Sequence, residues 1–149
     1  MFKRILVPTD GSPASRRAVA RAMQLAGEQN ARVTALWVGP PWEPNLYAYD
    51  RDVPPGFVSP RAHKAHVRKA AERQLAPVKK AAAAAGVRCT CEFRESAFPD
   101  IEIIRAARRI RCDLIVMGSH GPRGFLRVLI GSVTAKVLAQ ADIPVMVCR

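Results

Sequence analysis

Long apolar runs are what this sequence most clearly lacks. Its uninterrupted apolar stretches are far too short to cross a bilayer, although hydrophobic residues make up 49% of its 149 residues. The first four residues lead directly into a strand-like run without a small-residue cleavage site, so no signal peptide is expected. These absences predict a cytoplasmic protein without a membrane anchor, and the length suits one domain over residues 1–149.

Cysteine is also scarce, since the chain has four: Cys89, Cys91, Cys112 and Cys148. Their spacing does not resemble a disulfide framework. Cys89 and Cys91 occupy alternate positions of a predicted strand, which places both thiols on one face. A metal site would require further Cys or His ligands at short spacing, and the sequence offers none nearby. Reduced, buried cysteines are therefore predicted.

Acidic residues are half as frequent as basic ones: 12 Asp and Glu stand against 24 Lys and Arg, for a formal net charge of +12. Many of the basic residues fall on two predicted helices, where they could bind nucleic acid, an acidic membrane or a phosphorylated ligand. An RNA-binding signature, an aromatic platform and a helix-turn-helix pattern are all missing. A solvated basic surface is thus favoured, and a nucleic-acid partner is not expected.

Two familiar phosphate-binding motifs are absent. The sequence has no G-x-x-x-x-G-K-[ST] loop, and the turn after the first predicted strand has one glycine where a dinucleotide-binding fold needs three. These absences argue against a P-loop NTPase and against an NAD enzyme. No general base or nucleophile is convincingly placed, so enzymatic activity is not the first expectation.

What is present is an alternation of strand-like and helical patterns. Apolar runs and alternating β-formers predict strands at residues 2–7, 33–38, 87–93, 113–117 and 144–148, the third of them an edge strand. Helical periodicity predicts helices at residues 13–28, 61–85, 99–110 and 132–140. Pro77 should kink or split the second helix, and Gly86 should end it. This order predicts an α/β fold: a doubly wound parallel sheet with helices on both faces.

Between the second strand and the second helix, residues 39–60 are rich in proline and predict a long crossover loop of a kind that is often functional. Trp37 and Trp42 are expected to pack or to anchor this loop. His63 and His66, which follow it, are expected to lie on a solvated helix face. Ile101 is expected on the buried side of the third helix.

The chemistry is expected where parallel strands end, because ligands of open parallel sheets bind outside the carboxyl ends of the strands. Glycines punctuate the segment after the fourth strand: Gly118, Gly121, Gly124 and Gly131. They allow the backbone to approach a ligand closely. Gly131 and Ser132 then open a helix whose free amides and positive dipole end favour an anion. Further donors or positive charges come from Ser132, Thr134, His120, Arg123 and Arg127. This segment therefore predicts phosphate binding.

The first strand ends in a second polar turn, with Thr9, Asp10, Gly11 and Ser12. Ser12 followed by Pro13 predicts a helix N-cap. Asp10 could cap the same helix or contact a ribose or metal ion, and the two interpretations are compatible. His120 is interpreted as a phosphate-side or solvent-facing residue, because no carboxylate partner is suggested nearby.

Several motifs, taken in order, resemble the universal stress protein family. Gly118-x2-Gly121-x9-Gly131-Ser132 matches the family's nucleotide-binding pattern G-x2-G-x9-G-[ST]. The runs at residues 5–12, 113–121 and 143–147 are also similar, so the resemblance covers the whole chain. It implies a five-stranded sheet of order 3-2-1-4-5, as in adenine nucleotide α hydrolase-like folds, with the first and fourth strands at the switch point. It also implies ATP as ligand and a homodimer formed through Val145 and Val147 of the last strand.

The resemblance implies a role for each part of the site. Val38 would meet the adenine, while Pro8, Thr9 and Asp10 would line base and ribose, with Met117 and Gly118 completing that side. The phosphate-side residues would be Ser119, His120, Gly121, Arg123, Gly124, Gly131, Ser132, Val133 and Thr134. It is also compatible with Mg²⁺ held by the phosphates and Asp10. No cluster of side-chain metal ligands is expected. Pro122 departs from the pattern because it removes one backbone donor from the loop.

The function predicted is an ATP-binding regulatory module of the stress response, with slow or no hydrolysis. One alternative is an enzyme, either a slow ATPase or a relative using adenylation chemistry. The other is a nucleotide-independent interaction module that uses the basic helices, whose binding would fall steeply with salt.

Overall fold

The computed structural model describes residues 1–43, 59–119 and 130–149 of the chain. Five strands alternate with four helices in this part. The strands are β1 (Arg4–Pro8), β2 (Arg32–Gly39), β3 (Cys89–Glu95), β4 (Leu114–Gly118) and β5 (Val145–Cys148). The helices are α1 (Pro13–Gln29), α2 (Pro60–Ala85), α3 (Pro99–Arg109) and α4 (Ser132–Gln140). The predicted elements are therefore confirmed, with boundaries shifted by one or two residues.

All strand pairs are parallel, and the sheet order is β3-β2-β1-β4-β5. This is the order that the family resemblance implied. β3 forms one edge, as its alternating pattern predicted, and β5 forms the other. Because the strand order reverses between β1 and β4, their carboxyl ends flank the topological switch point of the sheet.

The sheet separates two hydrophobic clusters, because successive residues of a strand point to opposite faces. In β1, Ile5 and Val7 belong to a first cluster, which includes buried residues of α1 and α2. Leu6 belongs to a second cluster, which includes residues of α3 and Val137 of α4. Helices therefore cover both faces of the sheet, as a doubly wound fold requires.

Pro77 does not split the second helix, since α2 runs without interruption from Pro60 to Ala85. Pro77 itself is exposed, while Leu75 and Val78 beside it are buried. An interior proline costs a helix about 3 kcal/mol. Burial of apolar side chains on both sides of it offsets this cost and keeps the two halves on the sheet.

The end of α2 explains why β3 begins two residues later than predicted. Gly86 adopts the left-handed conformation with φ 64°, and the amide of Val87 donates to the carbonyl of Ala82 at 3.0 Å. Val87 thus belongs to the helix cap, not to the strand ladder.

Two further predictions need correction or refinement. Ile101 is 37% exposed, and Ile103 takes its place in the core at 2% exposure, because the buried stripe of α3 begins at Asp100. The cysteines are free, as predicted, but only Cys112 is buried and the other three are half-buried. Burial raises the pKa of Cys112 to about 11. Within the described residues, no helix is long and apolar enough to span a membrane.

Candidate functional site

The turn between β1 and α1 is organised by hydroxyl groups. Ser12 is the N-cap of α1, as predicted, and its Oγ accepts a hydrogen bond from the Ser15 amide at 3.2 Å. Buried Thr9 places its Oγ1 3.2 Å from Ser15 Oγ, and its amide donates to the Leu36 carbonyl at 2.9 Å. These contacts hold the end of β1 against both α1 and β2.

Asp10 lies exposed at the tip of this turn and does not cap the helix. Its Oδ1 accepts from the Ser12 amide at 2.9 Å, which fixes the carboxylate at the carboxyl edge of the sheet. Gly11 follows with φ 78°, in the left-handed region. A Cβ added there would also meet the amide end of Gln74 on α2, whose flexible side chain would have to move.

The end of β4 lies directly against the start of α1. A Cβ added to Gly118 would meet the backbone of Ala14 and Ser15 at 2.6–2.8 Å. Glycine is therefore required here by packing, independently of any ligand. This contact brings the β1–α1 turn, with Asp10, beside the first residues of the glycine-punctuated segment.

Hydrogen bonds join the two ends of that segment. The Gly131 amide donates to the Ser119 carbonyl, and the Ser119 amide donates to the Cys148 carbonyl of β5 at 2.8 Å. Thr134 Oγ1 donates to the Gly118 carbonyl at 2.8 Å. The start of α4 is thereby fastened to the end of β4. Because the Thr134 hydroxyl hydrogen is used in this way, its backbone is what remains to face a ligand.

The first turn of α4 has the character of an anion site. Gly131 is the N-cap, and no side chain among the described residues caps the helix. The first amides of a helix have no acceptor within the helix and carry its positive dipole end. Ser132 is exposed and Val133 half-buried, so this end of α4 is open to solvent.

Apolar members of the predicted site belong to the second hydrophobic cluster or pack against it. Met117 is buried in that cluster, and half-buried Val38 and Val133 pack against it. Val38 comes from the end of β2 and Val133 from α4, so residues from three elements meet on one side of the sheet. Pro8, which ends β1, is half-buried and stands opposite Leu36 in the pairing of β1 with β2.

The structure thus brings together the described members of the predicted site: Pro8, Thr9, Asp10, Val38, Met117, Gly118, Ser119, Gly131, Ser132, Val133 and Thr134. The predictions for His120, Gly121, Arg123 and Gly124, and for Pro122 and Arg127, lie outside the described residues, as does most of the proline-rich loop. No three His, Cys, Asp or Glu side chains within residues 1–43, 59–119 and 130–149 are grouped as metal ligands.

Positive charge near this edge also comes from α1, which the sequence did not indicate. Burial raises the pKa of the Cys148 thiol, while Arg21 and Arg17 lower it, so both guanidinium groups act on the end of β5. The carbonyl of Cys148, at that strand end, accepts the hydrogen bond from the Ser119 amide.

His63 contradicts its prediction as a solvated residue. It is 1% exposed, and its Nε2 lies 3.1 Å from the Pro40 carbonyl and 3.5 Å from Glu95 Oε2. It therefore links the start of α2 to the ends of β2 and β3. The signal was present in the sequence, because His63 precedes Val67 by four residues and so continues the buried stripe of α2.

Comparison with known proteins identifies the family. The model of the universal stress protein family matches residues 1–149. Universal stress protein MJ0531 of Methanocaldococcus jannaschii is 34% identical over 155 residues, covering 100% of this chain and 83% of that protein.

Two solved structures support the same assignment. The structure of MJ0577, from the same organism, superposes with a TM-score of 0.81 at 26% identity, covering 99% of this chain and 96% of that chain. A universal stress protein crystallised in complex with cAMP gives a TM-score of 0.70 at 25% identity, covering 99% and 97% of the two chains. From its sequence and its fold, the chain belongs to the universal stress protein family.

Proposed function

We propose that this chain binds an adenine nucleotide, ATP in the first place, at the carboxyl ends of β1 and β4. The nucleotide acts as a regulatory ligand in a stress response and is hydrolysed slowly or not at all. The observation that carries the proposal is the uncapped start of α4, which the Gly131–Ser119 hydrogen bond holds beside the β1–α1 turn. The relative crystallised with cAMP supports an adenine nucleotide as the ligand class.

The adenosine part is assigned to the wall nearest β1 and β2. Val38 is proposed to meet the adenine, with Pro8, Thr9, Met117 and Gly118 around base and ribose. Asp10 suits the ribose, because an exposed carboxylate anchored through one oxygen can accept a hydroxyl hydrogen with the other.

The phosphates are assigned to the start of α4 and the glycine-punctuated segment. Gly131, Ser132, Val133 and Thr134 supply amides, and Ser132 adds a hydroxyl. The proposal includes Ser119, His120, Gly121, Arg123 and Gly124 on the same side, and Mg²⁺ bridging the phosphates near Asp10. When bound, the cation would offset phosphate charge.

The phosphate site is tested by isothermal titration calorimetry, in which ATP is titrated into wild-type protein and into Gly131→Leu. Gly131 has φ −56°, which any residue can adopt, so leucine would fill the site without straining the backbone. Wild-type protein is expected to bind ATP and Gly131→Leu to lose binding. Gly27→Ala, in α1, is the control, because its nearest non-local neighbour lies 4.0 Å from the added Cβ. Unchanged ATP affinity in Gly131→Leu would show that the phosphates do not bind at the start of α4.

A simpler observation precedes calorimetry. Protein purified without added nucleotide is denatured, and the supernatant is analysed by chromatography for released adenine nucleotide. Recovered nucleotide identifies the natural ligand, including whether it is ATP, AMP or a cyclic form.

Hydrolysis is tested separately by turnover with Mg²⁺. Steady release of phosphate that falls in Ser132→Ala and Asp10→Ala would establish the slow ATPase in place of simple binding. We expect turnover too slow to exhaust the bound nucleotide during purification.

The proposal also treats residues 1–149 as one cytoplasmic domain that dimerises through β5. This strand forms an open edge, and its Val145 and Val147 are half-buried in the single chain. Light scattering should show a dimer that Val147→Arg dissociates. Thr90→Arg, on the opposite edge strand β3, is the matched control and should stay dimeric.

A further inference from the structure

The helices α1 and α2 lie side by side over the first hydrophobic cluster, and their outer surfaces form one face of the molecule, here called the α1–α2 face. Basic side chains occupy many of its exposed positions. Ten lysines and arginines of the two helices are exposed: Arg16, Arg17, Arg21, Arg61, Lys64, Arg68, Lys69, Arg73, Lys79 and Lys80. The two helices contain two acidic residues, Glu28 and Glu72, so their net formal charge is +8.

The opposite face, formed by α3 and α4, differs in charge and in pairing. Its two helices contain four basic and two acidic residues. Carboxylates pair with three of its arginines, in Arg105–Glu102, Arg108–Asp142 and Arg109–Glu92. No lysine or arginine of the α1–α2 face forms an ion pair with a described residue. The positive potential of the described structure is therefore concentrated on the α1–α2 side.

The fold gains nothing from this concentration of charge. Lys64 and Arg68, and likewise Lys69 and Arg73, are like charges four residues apart on α2, an arrangement that destabilises a helix. All four side chains are exposed, so they add no burial in return. An extended face of unpaired positive charge is complementary to an extended anionic surface.

The shape of the face distinguishes between anionic partners. The major groove of DNA is about 12 Å wide and admits one helix, whereas packed helices whose axes lie about 8–10 Å apart are broader than this groove. Neither α1 nor α2 contains Phe, Tyr or Trp, so the two helices offer no aromatic ring on which the bases of a single strand could stack. A broad face without a stacking platform suits a planar surface of phosphate groups.

The side chains between the basic residues are also compatible with a planar surface. On α2 the exposed positions 62, 65 and 76 are alanines, so the longer lysines and arginines extend beyond them. Lys69, Arg73 and Lys80 recur at helical spacing on the side of α2 away from its buried residues. These three residues are therefore the outermost basic groups of the helix.

We propose that the α1–α2 face binds the surface of a membrane that contains anionic phospholipids. Binding is peripheral and electrostatic, because the apolar stripes of both helices are already buried against the sheet and cannot enter the hydrocarbon. Lysines and arginines lie against the lipid phosphates, and each basic residue near such a surface strengthens binding by about fivefold. The proposal does not depend on bound nucleotide.

The test is sedimentation of the full-length protein with sucrose-loaded vesicles made of equal parts of phosphatidylglycerol and phosphatidylcholine. In about 0.1 M NaCl, where the Debye length is about 10 Å, wild-type protein is expected to sediment with these vesicles. It should stay in solution with vesicles of phosphatidylcholine alone. Raising NaCl to about 0.5 M should release it from the acidic vesicles.

Two triple variants with the same loss of charge locate the binding face. Lys69→Gln/Arg73→Gln/Lys80→Gln removes three charges from the α1–α2 face and should weaken vesicle binding by about 100-fold. Arg105→Gln/Arg108→Gln/Lys136→Gln removes three exposed charges from α3 and α4 and should weaken it by no more than about twofold, because salt screens charges on the far side of the protein. Far-ultraviolet circular dichroism verifies that both variants are folded.

A competition separates a lipid surface from nucleic acid. Duplex DNA added at an equal concentration of phosphate groups should leave most of the protein on the acidic vesicles. Release of the protein by the duplex would assign the face to nucleic acid instead. Absence of sedimentation with acidic vesicles in about 0.1 M NaCl, or equal weakening in the two triple variants, would likewise overturn the proposal.

Discussion

At the scale of single residues, the structure explains the glycine at position 118 differently from the sequence motif. The sequence pattern indicated a glycine that lets a ligand approach the backbone. In the fold, the backbone of Ala14 and Ser15 occupies the space where a Cβ would be. The glycine therefore first permits α1 to pack on the end of β4, and the site is formed as a consequence of that packing.

Gly118→Ala is accordingly expected to destabilise the protein even without nucleotide. The added methyl group must displace backbone atoms, so the free energy of unfolding should fall by about 1–3 kcal/mol. Gly27→Ala, within α1, should instead leave stability unchanged or raise it by up to about 1 kcal/mol, because alanine is the better helix former. Urea denaturation monitored by circular dichroism compares the two. Equal stability of Gly118→Ala and wild-type protein would show that α1 can move away without cost.

At the scale of elements, α2 connects the edge of the sheet that holds the proposed nucleotide site to the rest of the sheet. Its first turn contains His63, which contacts the Pro40 carbonyl after β2 and the Glu95 carboxylate at the end of β3. Further along, Gln74 covers Gly11 in the turn after β1. One helix therefore touches the segments at the ends of three strands.

The contact of His63 leads to a prediction about stability. His63→Ala would leave a cavity in place of a 1% exposed ring and remove the partner of the Pro40 carbonyl, so unfolding free energy should drop by about 2–3 kcal/mol. Lys64→Ala, at the exposed next position of α2, should change it by no more than about 0.5 kcal/mol. Thermal and urea unfolding measure both variants. A His63→Ala protein as stable as Lys64→Ala would mean that His63 does not tie the strands together.

At the scale of the whole molecule, the formal net charge of +12 arises because basic residues are twice as numerous as acidic ones. Three acidic side chains of the described residues form ion pairs with arginine, in Arg105–Glu102, Arg108–Asp142 and Arg109–Glu92. The exposed lysines and arginines of α2 form no ion pair with a described residue. Repulsion among them opposes the compact state.

Salt should therefore stabilise the protein in the absence of ligand. Raising NaCl from about 0.1 to 1 M shortens the Debye length from about 10 to 3 Å. A gain of about 1 kcal/mol would raise Tm by about 2–4 °C for a chain of this size. The double variant Lys69→Glu/Lys80→Glu, which lowers the charge of α2, should show a smaller rise. A Tm that falls with NaCl would show that ion pairs, not repulsion, dominate the surface.

Local patterns in the sequence were enough to predict the elements and the class of fold. Periodicity and turn chemistry act over a few residues, so they predicted nine elements, the cap at Ser12 and the helix end at Gly86. The strand order followed from the family motifs, since periodicity alone does not say which strands pair. Phosphate binding was predicted from glycines next to a helix start.

Only the tertiary structure decided contacts between residues far apart in the chain. The burial of His63, the contact of α1 with Gly118 and the hydrogen bond from Thr134 to the Gly118 carbonyl depend on how helices pack on the sheet. Alternation placed Cys89 and Cys91 on one face, but packing against the first hydrophobic cluster decided their partial burial. The physical reason is that propensities are local, whereas burial and charge environment arise when separate elements come together.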